Sequence, residues 1–256
     1  MRTVIDCLLL AGSPNTGPLQ EVSPVEHEAL IPIGDACMVE YVIKALRASG
    51  CVGRIVAVGP EAIRRLPGAA GVEVFEPAGG LMENVAAGLE RFEAPENVLV
   101  ATADIPLLTP EAVRDFVRRC GDRRADIYYP VVRDEVVEKR YPGGRRTYVR
   151  LSDGRFTGGN LVLFRPAVFD RCRAKAQEFA LHRKNPLKLA AIVGPVFVLR
   201  FLARRLSLAD AEKRVTSLFG VTGRAIVSGY PELAVDVDKP EDYALVCALG
   251  PFSRTN

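Results

Sequence analysis

At 256 residues the chain can bury one large α/β core or two small ones. With 48% hydrophobic and 25% charged residues it reads as soluble and globular, and a net charge of +3 is too small to make nucleic acid its main partner. Six scattered cysteines without a CxxC pair, and only His27 and His182, argue against zinc knuckles and histidine-rich metal sites; such cysteines fit a reducing cytoplasm.

The start, MRTVIDCLLLAGS, is too interrupted by Asp6 and too soon ended by Gly-Ser-Pro-Asn for a signal peptide. It reads as a first strand over 4–12. Further strands are expected at 54–59, 72–77, 98–104 and 126–132, as short Val/Ile/Leu runs bounded by Gly, Pro or Asp. Between them CMVEYVIKALRASG, LMENVAAGLERF and TPEAVRDFVRRCG carry helical periodicity. Thr109 is the expected N-cap of the last, with Pro110 at its first position. This alternation predicts an α/β fold with a mostly parallel, right-handed wound sheet and helices on both faces. Residues 133–158 break the pattern as a basic hairpin insertion, with turns at Pro-Gly-Gly and Ser-Asp-Gly. NLVLFRP returns to the core, and 166–220 form a helical segment. Its last helix opens on a Ser207-x-x-Asp210 capping box and stops at Gly220. AIVSG and LAVDVD are expected strands, and PEDYALVCALG a final helix.

Ligands of open parallel sheets bind beyond the carboxyl ends of the strands. There the first strand delivers Ala11, Gly12 and Ser13, the third Gly79 and Gly80, and the fourth Asp104; the last run delivers Asp236 and Asp238. Glycine-rich turns let backbone amides approach a ligand, and paired carboxylates suit a divalent cation such as Mg²⁺. Asp104 follows a Val-Leu-Val run and is not needed as a cap, because Thr109 fills that role. Asp238 has a structural alternative, since Asp-x-x-Glu before an apolar helix is a capping box. Asn84 could equally cap its own helix.

LLLAG, ALIPIGDACMVEYVIKAL, PAGGLMENVAAGL, ATADIPLLTPEAV, GGNLVLF and AVDVDKPEDY, in that order, resemble the MobA-like nucleotidyltransferases. The resemblance runs from residue 4 to about 246. It implies a single domain over 1–256, a Rossmann-like α/β three-layer sandwich, with a nucleoside triphosphate and Mg²⁺ as ligands and a phosphorylated small molecule as acceptor. The acceptor attacks the α-phosphorus and pyrophosphate leaves. By position, Ala11, Gly12, Ser13, Gly79, Gly80 and Asn84 would contact the nucleotide. Asp104, Asp236 and Asp238 would hold the metal, with Asp104 and Asp238 as the catalytic pair. Related readings are a nucleotide-sugar glycosyltransferase, using Asp236-Val237-Asp238 as its metal motif, and a non-catalytic nucleotide sensor.

The sequence departs from that family at its first loop, which in active relatives carries an Arg and, soon after, a Lys. Here SPNTGPL lacks the Arg, and Glu28 stands where the Lys is expected. No Lys or Arg occurs from residue 3 to 43. The basic hairpin is the candidate substitute, and a merely solvated basic hairpin is the equal alternative. Arg145, Arg146 and Arg150 would grip an anionic acceptor, with Gly159 and Asn160 shaping that side. Residues 186–206 read as two short helices split at Gly194-Pro195, too short to span a bilayer. They are expected to cover the core; a peripheral membrane contact and a homodimer contact are the alternatives.

Overall fold

The computed structural model describes residues 4–77, 79–144, 146–182 and 185–249. The first half alternates strand and helix: β1 (Ile5–Leu10), a small ribbon of β2 (Pro32–Ile33) and β3 (Ala36–Cys37), α1 (Met38–Ala48), β4 (Val52–Val58), β5 (Glu73–Phe75), α2 (Leu81–Leu89), β6 (Val98–Thr102) and α3 (Pro110–Arg119). Then come β7 (Ile127–Arg133), α4 (Asp134–Arg140), β8 (Val149–Leu151), β9 (Gly154–Gly158) and β10 (Leu161–Phe164). The remainder is α5 (Phe169–His182), α6 (Pro186–Val193), α7 (Pro195–Leu202), α8 (Leu208–Phe219), β11 (Gly223–Ser228) and α9 (Pro240–Leu249).

The main sheet runs β5-β4-β1-β6-β10-β7-β9-β8, with β11 on the other side of β7. β5, β4, β1 and β6 are mutually parallel. β10 is antiparallel to both β6 and β7, so β7 again points the same way as β6. The strongly apolar β1 is buried on both faces, as a central parallel strand should be. Cys7 and Leu9 join the layer packed by Val42, Ile43 and Leu46 of α1 and by Val113 and Phe116 of α3. Leu8 points the opposite way, toward Val85 of α2 and Phe164, Val168 and Phe169. The period-two alternation therefore builds two cores from one strand and gives three layers.

The helix ends follow the sequence signals. Thr109 Oγ1 accepts the N–H of Ala112 at 3.2 Å. Ser207 and Asp210 form the expected reciprocal capping box, and Gly220 adopts the left-handed conformation after α8. All six cysteines are free. The hairpin is also present: β8 and β9 pair antiparallel, and β9 adds to the carboxyl end of β7. α4 occupies the start of the insertion, where no helix was expected.

Two expectations fail. LAVDVD is not a strand. Pro231–Ala234 form a single 3-10 turn, and the chain continues without pairing into the sheet. Leu233, Ala234, Val235 and Val237 are nonetheless buried, which explains the strand-like composition. Their backbone is tied elsewhere, with Val237 N–H donating to Asp104 O at 2.9 Å and Leu233 O accepting Asn160 N–H at 2.8 Å. The second failure is the helical pair. It splits at Gly194 as predicted, but no residue of α7 is fully buried, and its cover of the core is partial, through Phe197 on Val131, Leu151, Phe156 and Leu206.

Candidate functional site

The carboxyl edge of the parallel strands gathers the acidic residues. β6 ends at Thr102, and the turn after it carries Asp104. The 233–238 segment crosses beside that turn through the Val237–Asp104 hydrogen bond. Val237 is fully buried in a cluster with Leu19, Ile31, Leu107 and Val246. Its neighbours at i−1 and i+1 therefore share the side away from the core. One carboxylate oxygen from each of Asp104, Asp236 and Asp238 lies within 4.8 Å of the others. An octahedral Mg²⁺ with oxygens at about 2.0–2.1 Å spans donors on the order of 3–4 Å apart. The three carboxylates match such a hard cation in donor type and nearly in spacing.

Burial pushes the Asp104 carboxyl up to about 7. The Thr102 hydroxyl, which donates to it, opposes the shift, and the charges of Asp236 and Asp238 add to it. Asp236 is also raised, chiefly by burial, with Arg146 opposing and Asp238 reinforcing. Glu28 is raised by burial and then by Asp238, so a fourth carboxylate feels the cluster. The residue that replaces the expected Lys thus adds negative charge to the site. Mutual repulsion of this kind is relieved when a cation binds.

Arg146 is engaged inside the fold. Its side chain is 8% exposed and forms an ion pair with Asp236. It also donates to Asp236 O at 2.6 Å and to Asp242 Oδ1 at 3.5 Å. Asp242 Oδ2 in turn accepts Asp238 N–H at 3.3 Å. The guanidinium is an internal clamp on the Asp236–Asp238 segment, so it is not free to grip an acceptor. The helix starts at Pro240, and so the carboxylate that reaches back to Asp238 is Asp242, not Glu241. Arg150 is exposed on β8, and Arg145 lies outside the described residues.

Gly159 and Asn160 lie where β9 gives way to β10. A Cβ on Gly159 would approach Leu233 O to 2.8 Å and Pro130 Cγ to 2.9 Å. The absence of a side chain lets the 233–238 segment cross the strand break. Asn160 O accepts Thr102 N–H at 3.2 Å, two residues before Asp104. These two residues therefore build the carboxylate site from below.

Ala11, Gly12 and Ser13 follow β1 at the same edge. Ala11 N–H donates to Val58 O at 2.7 Å, and a Cβ on Gly12 would meet Pro77 Cγ at 2.7 Å. This packs the turn after β1 against the one after β5, which leads to Gly79 and Gly80. Asn84 Nδ2 donates to Gly79 O at 3.3 Å, so its side chain braces that turn.

Sequence reasoning did not single out Asn15, which is 2% exposed. Its Nδ2 donates to Ser23 O at 2.9 Å and Val25 O at 3.0 Å, and its N–H donates to Glu26 O. Glu28 N–H returns to Ser13 O at 3.1 Å. The first loop is thus closed by one amide side chain. The Ser-Pro-Asn turn signal was the available clue. A cavity of about 440 Å³ opens between this loop and α9, lined by Pro18, Glu21, Lys239, Pro240, Glu241 and Ala244.

The profile of the MobA-like NTP transferase domain matches residues 25–189. Among solved structures, a hypothetical transferase from Thermus thermophilus is 40% identical, with a TM-score of 0.82, covering 94% of this chain and 100% of its own. The 2-C-methyl-D-erythritol 4-phosphate cytidylyltransferase of Thermus thermophilus shares the fold at 16% identity and a TM-score of 0.56, with 97% and 98% covered. A nucleotidyl transferase from Methanothermobacter thermautotrophicus does so at 15% and 0.54, with 99% of each chain covered. No curated protein matches the sequence. The matched profile spans more than half of the chain and includes β6 and Asp104, and on that ground the chain belongs to the MobA-like NTP transferase family.

Proposed function

We propose that the protein is a Mg²⁺-dependent nucleotidyltransferase that joins a nucleoside monophosphate to a phosphorylated small molecule and releases pyrophosphate. The observation that carries this reading is the convergence of Asp104, Asp236 and Asp238 at the carboxyl edge of the sheet. These oxygens would hold Mg²⁺, which would supply positive charge to the phosphates of the bound nucleotide. The backbone of Ala11, Gly12 and Ser13, with Gly79 and Gly80, would lie along the nucleotide. Thr102 would orient Asp104, and Arg146 would hold Asp236 and Asp238 in place. The acceptor would meet Arg150, an exposed cation of the hairpin, while Gly159 and Asn160 would shape that side from within by seating the 233–238 segment.

Triphosphate still needs positive charge beside the altered loop. Lys239 follows Asp238 directly and lines the cavity against Pro18 and Glu21 of that loop. We assign it the part of the missing loop cation, although Glu21 and Glu241 share the cavity and reduce its net charge.

Pyrophosphate release from CTP, GTP, ATP and UTP, each with Mg²⁺ and a panel of sugar phosphates, tests the reading. One nucleotide should turn over, and Asp104→Asn should lose at least about a thousandfold in kcat while keeping its fold. Full activity in Asp104→Asn would sink the metal assignment. Sugar transfer without pyrophosphate would move the protein to the glycosyltransferases. Nucleotide binding without turnover would make it a sensor.

A further inference from the structure

One side of α7 carries apolar residues that face outward. Val196 is 70% exposed, Leu199 65% and Leu202 70%. At 100° per residue these three fall within an arc of about 120° on α7. Leu181, at the end of α5, is 74% exposed. The opposite side of α7 is anchored: Phe197 packs on Val131, Leu151, Phe156 and Leu206. Exposed aliphatic side chains clustered in this way mark a surface that meets something apolar.

The charge around them says what that is. Residues 179–209 contain no Asp or Glu, but six Lys or Arg. Lys188, Arg204 and Arg205 are exposed. Arg200 is held by Asp210 at 2.8 Å, just beyond the stretch. A second copy laid face to face would set cations against cations. An anionic bilayer offers the opposite, with negative headgroups over hydrocarbon. Long basic side chains can reach those headgroups while neighbouring leucines enter the acyl boundary. No helix among the described residues is long and apolar enough to cross a membrane, so such a contact is peripheral.

The location favours a working surface. Ser152 N–H donates to Leu206 O at 2.8 Å, which fastens the end of this segment to the β8–β9 hairpin. That hairpin sits at the carboxyl end of β7, which runs parallel to β6. The apolar face and the carboxylates therefore belong to the same edge of the sheet.

We propose that the α6–α7 face docks on an anionic lipid bilayer. This does not depend on which reaction the carboxylates perform. The test is flotation of the full chain with vesicles of phosphatidylglycerol and phosphatidylcholine, beside vesicles of phosphatidylcholine alone. Recovery with the anionic vesicles should be at least about tenfold higher at low salt and should fall as salt is added. Leu199→Glu with Leu202→Glu should cut it by about tenfold or more at an unchanged melting temperature. Both side chains are exposed, so this variant should fold. Three results would overturn the proposal: equal recovery with both vesicle types, undiminished recovery of the double variant, or a dimer in sedimentation equilibrium that the double variant splits.

Discussion

The first loop and the basic hairpin carry opposite charge, yet in each a buried polar side chain turns inward and adds to the backbone hydrogen bonds. In the loop, 13–28, Asn15 ties Ser23 and Val25, and the acidic side chains stay at its margin. In the hairpin, Arg146 turns inward onto Asp236 and Asp242. The loop therefore lacks cations, and the hairpin's cationic excess is partly engaged inside the fold. Arg155 likewise has partners, 3.0 Å from Asp134 and over the Tyr148 ring. A charge count along the sequence overstates what a ligand can meet. Free charge depends on which side chains already have partners.

The sharpest way to break this comparison is Arg146→Ala. It would leave Asp236 and Asp242 buried without their shared cation. Removing one partner of a buried ion pair typically costs about 3–5 kcal/mol, so a large fall in denaturation midpoint is expected. Arg146→Lys should recover part of it, since a single ammonium cannot span both carboxylates as a guanidinium does. If Arg146→Ala instead left stability unchanged and raised only the acceptor KM, the clamp would be a ligand contact after all.

A second test reads the carboxylates through stability. Asp104 is raised to about 7 in the folded chain, above the ordinary carboxylate value. The folded state then binds more protons than the unfolded state between about pH 4 and pH 7, and stability falls as pH rises through that window. In chelator, Asp104→Asn should therefore gain melting temperature over the unmodified chain, by a few degrees more at pH 8 than at pH 5. Mg²⁺ should close that gap by stabilising the unmodified chain alone. A difference independent of pH would mean that burial and the neighbouring carboxylates do not raise Asp104.

Lys239 allows a finer test on the loop side. Lys239→Ala should raise the nucleotide KM by about tenfold, the effect of one charge-assisted contact, with little change in melting temperature because the side chain is exposed. An unchanged KM would return the loop's missing charge to backbone amides and metal alone.

Much of this was legible in the sequence. Gly-Ser-Pro after an apolar run, Thr109-Pro110, and Ser207-x-x-Asp210 are local signals, and each element they mark is present where expected. Asp104 was legible for the same reason: an acid ending a buried run has few structural uses. What stayed hidden depends on contacts between distant residues. Arg146 and Asp236 are 90 positions apart, and no periodicity relates them. LAVDVD has the composition of a strand because Leu233, Val235 and Val237 are buried, but its backbone partners are Asn160 and Asp104, not a neighbouring strand. The 186–206 helices show the reverse: their apolar content promised burial, and the fold packs Phe197 and Leu206 inward but leaves Val196, Leu199 and Leu202 exposed.

Arg150 carries the smallest expected effect and bears most directly on the opening contrast. It is exposed on β8, where it faces Arg155 across the strand pair. Two cations opposed in this way repel, so removing one costs no stability and gains a little. If the hairpin meets an anionic acceptor, Arg150→Ala should raise the acceptor KM by about two- to fivefold, leave kcat and the nucleotide KM in place, and flatten the salt dependence of kcat/KM. If it is only a solvated face, none of these changes and the melting temperature rises slightly. Because Arg146 fails through stability and Arg150 through KM, the two variants separate the clamped charge of the hairpin from its free charge, which no count of arginines along the chain can do.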